Sequence, residues 1–172
     1  MEIELERTFL AKEISFLKNC EFKEFVDVYI PANVNHPVLR LRKKGNKFEL
    51  TKKYPVNEGD SSHMNEETII LDENEFNALS KLDGKRVAKK RYYYPYNNLI
   101  AEVDVFTEDL KGLVLVDFEF KTMEEKDSFE MPDFCLVEVT QEEFIAGGMI
   151  CGKKYSDISE KLDKFGYKKL DF

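Results

Sequence analysis

Apolar and charged residues alternate with a period of two along most of this chain. Ile3 and Leu5 alternate with Glu4 and Glu6, Leu39 and Leu41 with Arg40 and Arg42, and Val103 and Val105 with Glu102 and Asp104. Val116, Phe118 and Phe120 interleave Asp117 and Glu119, and Val137 and Val139 flank Glu138. In extended backbone this spacing sends the two sets to opposite faces, so the runs predict strands with one apolar and one charged face. Gly45-Asn46, Asn97-Asn98 and Gly112 supply the turns between them, and short turns make neighbours antiparallel. About eight strands are expected, near 2–10, 23–31, 37–44, 47–54, 64–71, 86–96, 99–107 and 113–121, with a ninth at 135–140.

Two segments change period. Asp72 and Glu75 form a capping-box pattern ahead of Phe76 and Leu79, with Gly84 as the stop. From Ser156 to Phe165, Ile158, Leu162 and Phe165 share a helical face, acids stand near the start, Lys161 and Lys164 near the end, and Gly166 terminates. Weaker helical signals lie at 11–18 and 141–145, and Pro55 to Ser62 is the segment expected to be most mobile. With no repeat, low-complexity tract or linker, residues 1–172 read as a single domain.

Composition narrows the function classes. A hydrophobic content of 42% with 14 Phe and 8 Tyr in 172 residues can build a core. No run approaches the roughly 18 apolar residues of a membrane span, and the acidic start Glu2-Ile3-Glu4-Leu5-Glu6 carries no leader pattern, which predicts a cytoplasmic protein that engages no membrane. Cys20, Cys135 and Cys151 are widely spaced, which argues for inert thiols rather than a disulfide framework or zinc knuckle. With His36 and His63 as the only histidines, any metal should be hard and held by carboxylates. A formal charge of −8, from 26 Lys and Arg against 34 Asp and Glu, opposes binding to a nucleic-acid duplex.

Sorting the charges by strand face points the other way for a small anion. Acidic residues recur two apart on several strands, while Arg40/Arg42 and Lys89/Arg91 pair in the same spacing, with Lys52 and Lys53 between them. Like charges on one strand face repel, which is a poor way to decorate a passive surface. Closing the sheet with the charged face inward gives an α+β fold: an eight-stranded antiparallel β-barrel, a tunnel with a charged lumen and helices packed outside. A basic wall facing an acidic wall suits a polyphosphate, with Arg and Lys gripping phosphate oxygens and carboxylates holding Mg²⁺ or Mn²⁺. The competing reading is an internal salt-bridge network without a ligand.

Six short motifs in order then resemble the CYTH, or triphosphate tunnel metalloenzyme, family. Glu4-Leu5-Glu6-Arg7-Thr8 is similar to its ExExK strand, Arg40-Leu41-Arg42 to RxR, Thr51-Lys52-Lys53 to TxK and Lys89-Lys90-Arg91-Tyr92 to KxRY. Glu102-Val103-Asp104-Val105-Phe106 with Gly112-Leu113-Val114 and Asp117-Phe118-Glu119-Phe120 resembles the EVDxF…GLxxxExEF segment, and Glu138-Val139-Thr140 its later EVT.

The resemblance implies a tunnel barrel and a metal-dependent triphosphatase, with water attacking the terminal phosphate of an inorganic or organic triphosphate. It names Arg40, Arg42, Lys53, Lys89 and Arg91 as phosphate-binding. Glu4, Glu6 and Glu119 become metal ligands, with Glu102, Asp104 and Asp117 as further ligands or water positioners, and Glu4, Glu6, Lys89 and Arg91 the catalytic set. Glu67, from the middle strand Asn65-Glu66-Glu67, and Glu138 are additional candidates. Tyr29 stands where some hydrolytic relatives carry a tunnel aromatic, a core or rim tyrosine being the alternative. Thr8 replaces the lysine of ExExK and offers the terminal phosphate no positive charge. Adenylyl cyclisation and non-catalytic polyphosphate or nucleotide binding are the competing functions, and a monomer or homodimer is expected.

Overall fold

The computed structural model describes residues 2–171, so Met1 and Phe172 of the expected 1–172 domain lie outside the described residues. Within them the strands are β1 (Glu2–Ala11), β2 (Phe22–Ile30), β3 (Leu39–Lys44), β4 (Lys47–Pro55), β5 (His63–Leu71), β6 (Lys85–Tyr96), β7 (Leu99–Phe106), β8 (Val114–Phe120) and β9 (Cys135–Glu138). The helices are α1 (Glu73–Leu79), α2 (Met123–Ser128), α3 (Gly147–Ile150) and α4 (Tyr155–Asp163), with 3₁₀ turns at Ser15–Asn19, Glu108–Leu110 and Glu143–Ile145. The sheet runs β5-β4-β3-β2-β6-β7-β8-β1-β9, and an added β5–β1 pairing closes it into an eight-stranded antiparallel barrel of the α+β class. β1 makes closure possible by dividing its partners. Its first half pairs with β5, Glu4 opposite Met64, while its end pairs with β9, Phe9 opposite Glu138.

The apolar set expected from alternation packs outside the barrel. On one flank Leu5, Phe9, Val103, Val116 and Phe118 form a buried cluster, and Phe9, Phe118 and Phe129 meet with ring centroids 4.5–6.1 Å apart. A second cluster of Leu10, Phe106, Leu115, Ile150, Ile158 and Leu162 joins one end of the barrel to α4. Cys135 and Cys151 lie in these clusters, and burial pushes their thiols up to about 12 and about 11. They are unreactive at neutral pH. Among the described residues no helix is long and apolar enough to cross a membrane.

The capping box forms as read: the Glu75 amide donates to Asp72 Oδ1 (2.9 Å) and the Asp72 amide to Glu75 Oε2 (2.8 Å). Gly84 is not the stop. α1 ends at Leu79 with Ser80 as its cap, and Gly84 lies against β2, where an added Cβ would stand 2.4 Å from Val28 Cγ1 and 3.1 Å from the Tyr29 carbonyl oxygen. Close approach, not helix termination, requires the glycine there. Gly166 does terminate α4, with φ +72. α2 escaped the sequence reading because its six residues, MEEKDS, carry no apolar stripe. The Thr122 hydroxyl, accepting from the Glu125 amide (3.1 Å), starts it.

Gly84→Ala is expected to destabilise the protein by about 2 kcal/mol, the usual scale of overpacking, read as a lower urea midpoint at unchanged slope. An unchanged midpoint would show that Val28 and the backbone yield freely.

Candidate active site

Inward-facing residues of the barrel line one cavity of about 1080 Å³. Its basic side comes from β3 (Arg40, Arg42, Lys44), β4 (Lys53) and β6 (Lys89, Arg91), and its acidic side from β1 (Glu4, Glu6), β7 (Glu102, Asp104) and β8 (Asp117, Glu119). Neighbouring strands reach a common face because partners in register point the same way: Glu6 opposes Glu119, Thr8 opposes Asp117, and Glu102 opposes Asp117. Every residue expected in the phosphate and metal sets lines the cavity, as do Thr8 and Tyr29. Of the pair Lys52/Lys53, it is Lys53 that faces in, while Lys52 is exposed. Tyr29 satisfies both of its alternatives, since it is 8% exposed within the core cluster yet lines the lumen.

Two expected residues lie elsewhere. Glu67 points outward, accepting from the Tyr54 hydroxyl (3.3 Å), and Glu66 takes the inward place, 3.8 Å from Arg40 Nη2. Lys53 and Glu66 are register partners, so the period of two puts Glu67 on the opposite face. Glu138 is also outside the lumen. Arg7 donates to it from Nε (3.0 Å) and to the Phe129 carbonyl from Nη1 (2.7 Å), fastening β9 to β1. Its neighbour Thr140 does line the cavity.

The two walls are tied together by ion pairs. Lys53 Nζ stands 2.6 Å from Glu4 Oε2 and 2.7 Å from Glu6 Oε2. Arg91 donates from Nε and Nη2 to Asp104 (2.7 Å each) and from Nη1 to Glu102, and Lys89 also donates to Asp104. Asp104 is 1% exposed, and although burial alone would raise its carboxyl, Arg91 and Lys89 hold it well below the usual range. Burial pulls Lys89 below the usual lysine range, against Asp104 and with the help of Arg91 and Arg42. Glu119 behaves differently. Burial first, then Glu102 and Glu4, push it up to about 7 against Arg91 and Lys53. Burial likewise raises Glu6, with Lys53 opposing and Asp117 and Glu4 adding to it.

These donors fit a hard divalent cation by chemistry, being carboxylates crowded on adjoining strands β1, β7 and β8, and Glu6 and Glu119 are raised by burial first and by neighbouring acids second, a setting in which a cation would favour the ionised carboxylates. Among the described residues no three such side chains converge as a ready metal cage. Lys53 stands between Glu4 and Glu6 instead. Thr8 donates its hydroxyl to Asp117 Oδ1 (2.7 Å), a neutral contact where a lysine would bring charge.

Sequence reasoning missed Asp27, Lys44, Glu49, Glu66 and Thr68. Lys44 follows Arg40 and Arg42 at the same spacing, and Asp27 sits between Val26 and Val28 in an alternating run, so both carried a signal. Asp27, 2% exposed, accepts from Arg42 Nε and Nη2 at 2.7 Å each. Burial opposes its ionisation, but Arg42 lowers the carboxyl to about 2.

No family model matches the chain. An inorganic triphosphatase of Nitrosomonas europaea is 33% identical over 117 residues, 66% of this chain and 74% of that one. A solved inorganic triphosphatase matches with TM-score 0.64 at 25% identity, over 89% of this chain and 97% of that one. A Pyrococcus horikoshii protein at 18% identity and TM-score 0.51, over 96% of this chain and 91% of that one, shares the fold.

Asp27→Asn is expected to cost about 3 kcal/mol at neutral pH, because it leaves the Arg42 guanidinium buried without its counter-ion. The folded carboxyl at about 2 lies below its unfolded value of 3.8, so the stability it contributes is present above pH of about 4 and is lost as pH falls through about 2. The gap between wild type and variant should therefore narrow by roughly 2 kcal/mol over that window in urea unfolding. A gap independent of pH would refute the pairing.

Proposed function

Because the chain belongs to the CYTH, or triphosphate tunnel metalloenzyme, family, we propose that it is a triphosphatase that uses Mg²⁺ or Mn²⁺. The observation that carries this reading is one barrel lumen in which a basic wall from β3, β4 and β6 faces an acidic wall from β1, β7 and β8. Its size, about 1080 Å³, suits a small-molecule ligand. The inorganic triphosphatases that the chain resembles support the reaction class.

In this reading Arg40, Arg42, Lys53, Lys89 and Arg91 hold the phosphate oxygens and stabilise charge on the leaving pyrophosphate. Glu4, Glu6 and Glu119 would hold the cation, with Asp117 and Glu102 beside them, and a bound divalent ion would supply charge neutralisation to the phosphates. In the same reading Asp104 serves as the counter-ion of Lys89 and Arg91, which is supported by those two cations engaging both of its oxygens. Positioning and electrostatics carry most of such a reaction, so the neutral Thr8–Asp117 contact at this point of the wall makes for a slow enzyme.

Purified protein with tripolyphosphate and Mg²⁺ or Mn²⁺ should release phosphate, and chelation should stop it. Glu4→Gln or Glu6→Gln should lower turnover by about 10²–10³. Release that survives both substitutions and chelation would sink the proposal, whereas tight binding with no release would identify a non-catalytic binder. Thr8→Lys is expected to raise turnover by about tenfold or more; an unchanged rate would show that the lost cation is not what limits it.

A further inference from the structure

β2 lies between the two basic strands, paired with β3 on one side and β6 on the other. Its inward residues therefore sit among their cations. Asp27 opposes Arg42 and neutralises it. Phe25, one turn of the alternation away, opposes Lys44 of β3 and Lys89 of β6. It is 1% exposed, and cationic groups from four residues on its two neighbouring strands stand over its ring. The centroid lies 4.8 Å from the Arg42 guanidinium carbon, 5.3 Å from that of Arg91, 5.3 Å from Lys44 Nζ and 5.9 Å from Lys89 Nζ. The Phe106 ring, in register with Lys89, takes the same ammonium at 5.6 Å.

Cations this close repel one another, and Asp27 on Arg42 with Asp104 on Lys89 and Arg91 offsets part of that repulsion. A further carboxylate would offset more of it, but would bring another negative charge to the wall that a phosphate must approach. An aliphatic side chain would fill the space without attracting them. An aromatic face attracts cations through its quadrupole and carries no net charge, and the interaction strengthens when it is removed from water.

We propose that Phe25 is a positioning residue of the anion site, whose ring gathers Arg42, Lys44, Lys89 and Arg91 into one cluster without adding a negative charge of its own to the wall that a triphosphate would meet. This rests on the reading of the lumen as a triphosphate site. It extends that site to a residue that touches no phosphate and acts through the cations above it.

The test is to replace Phe25 with mono-, di- and trifluorinated phenylalanine, which keep the ring's shape while draining its quadrupole, and to titrate each protein with non-hydrolysable imidotriphosphate and Mg²⁺ by calorimetry. The dissociation constant is expected to rise step by step, to about tenfold for the trifluorinated ring. The same series at Phe118, whose ring neighbours are Phe9, Tyr96 and Phe129, should leave it unchanged. Phe25→Leu should weaken binding at least as much as the trifluorinated ring. A constant that stays flat across the Phe25 series in a protein that binds imidotriphosphate overturns the positioning role alone. No binding by the unsubstituted protein overturns both that role and the triphosphate reading.

Discussion

Charge compensation across the lumen is the condition on which this barrel stands. Taking an ion out of water costs several kcal/mol, and the cost is recovered only where an opposite charge with good hydrogen-bond geometry meets it. Here the meeting is made between strands. Lys53 of β4 reaches Glu4 and Glu6 of β1, Arg91 of β6 reaches Glu102 and Asp104 of β7, and Arg42 of β3 reaches Asp27 of β2. The first of these joins strands that are not neighbours, so it exists only because β5 pairs with β1 and closes the sheet.

The pairs are not equivalent, and their differences sort support from chemistry. Asp27 and Asp104 are 2% and 1% exposed, engaged on both oxygens and held strongly ionised by their cations. They anchor the basic wall. On the acidic side Glu6 and Glu119 are raised rather than lowered, because burial and neighbouring acids outweigh the cations within reach. The two sides of the lumen therefore differ in kind: the basic wall carries compensated, strongly ionised pairs, whereas ionisation on the acidic wall is opposed by burial and by neighbouring acids. The net acidity of the chain, −8, is then no obstacle to an anionic ligand.

Much of the fold was legible because period-two alternation is a local property. The strands, the capping box at Asp72 and Glu75, the stop at Gly166 and the inward direction of Lys53 all follow from spacing within a few residues. The failures are equally specific. Glu66, not Glu67, faces the lumen because the β4–β5 register is set by the loop between Pro55 and His63, and a shift of one residue exchanges the faces. Glu138 sits in a charged, alternating run like the others, yet β9 lies outside the closed circuit and its acid serves Arg7. α2 has no apolar stripe to announce it.

What the sequence determined by itself is which side chains travel together: on most strands a charged set shares one face and an apolar set dominates the other, with most of the basic and acidic groups carried by different strands. Only the tertiary structure decided which face became the interior, which cation met which carboxylate, and that Phe25 and Asp27 would lie beneath the basic wall. The physical reason is range. Alternation is fixed by backbone geometry between adjacent residues, whereas strand order and closure through β5 and β1 depend on contacts between segments far apart in the chain.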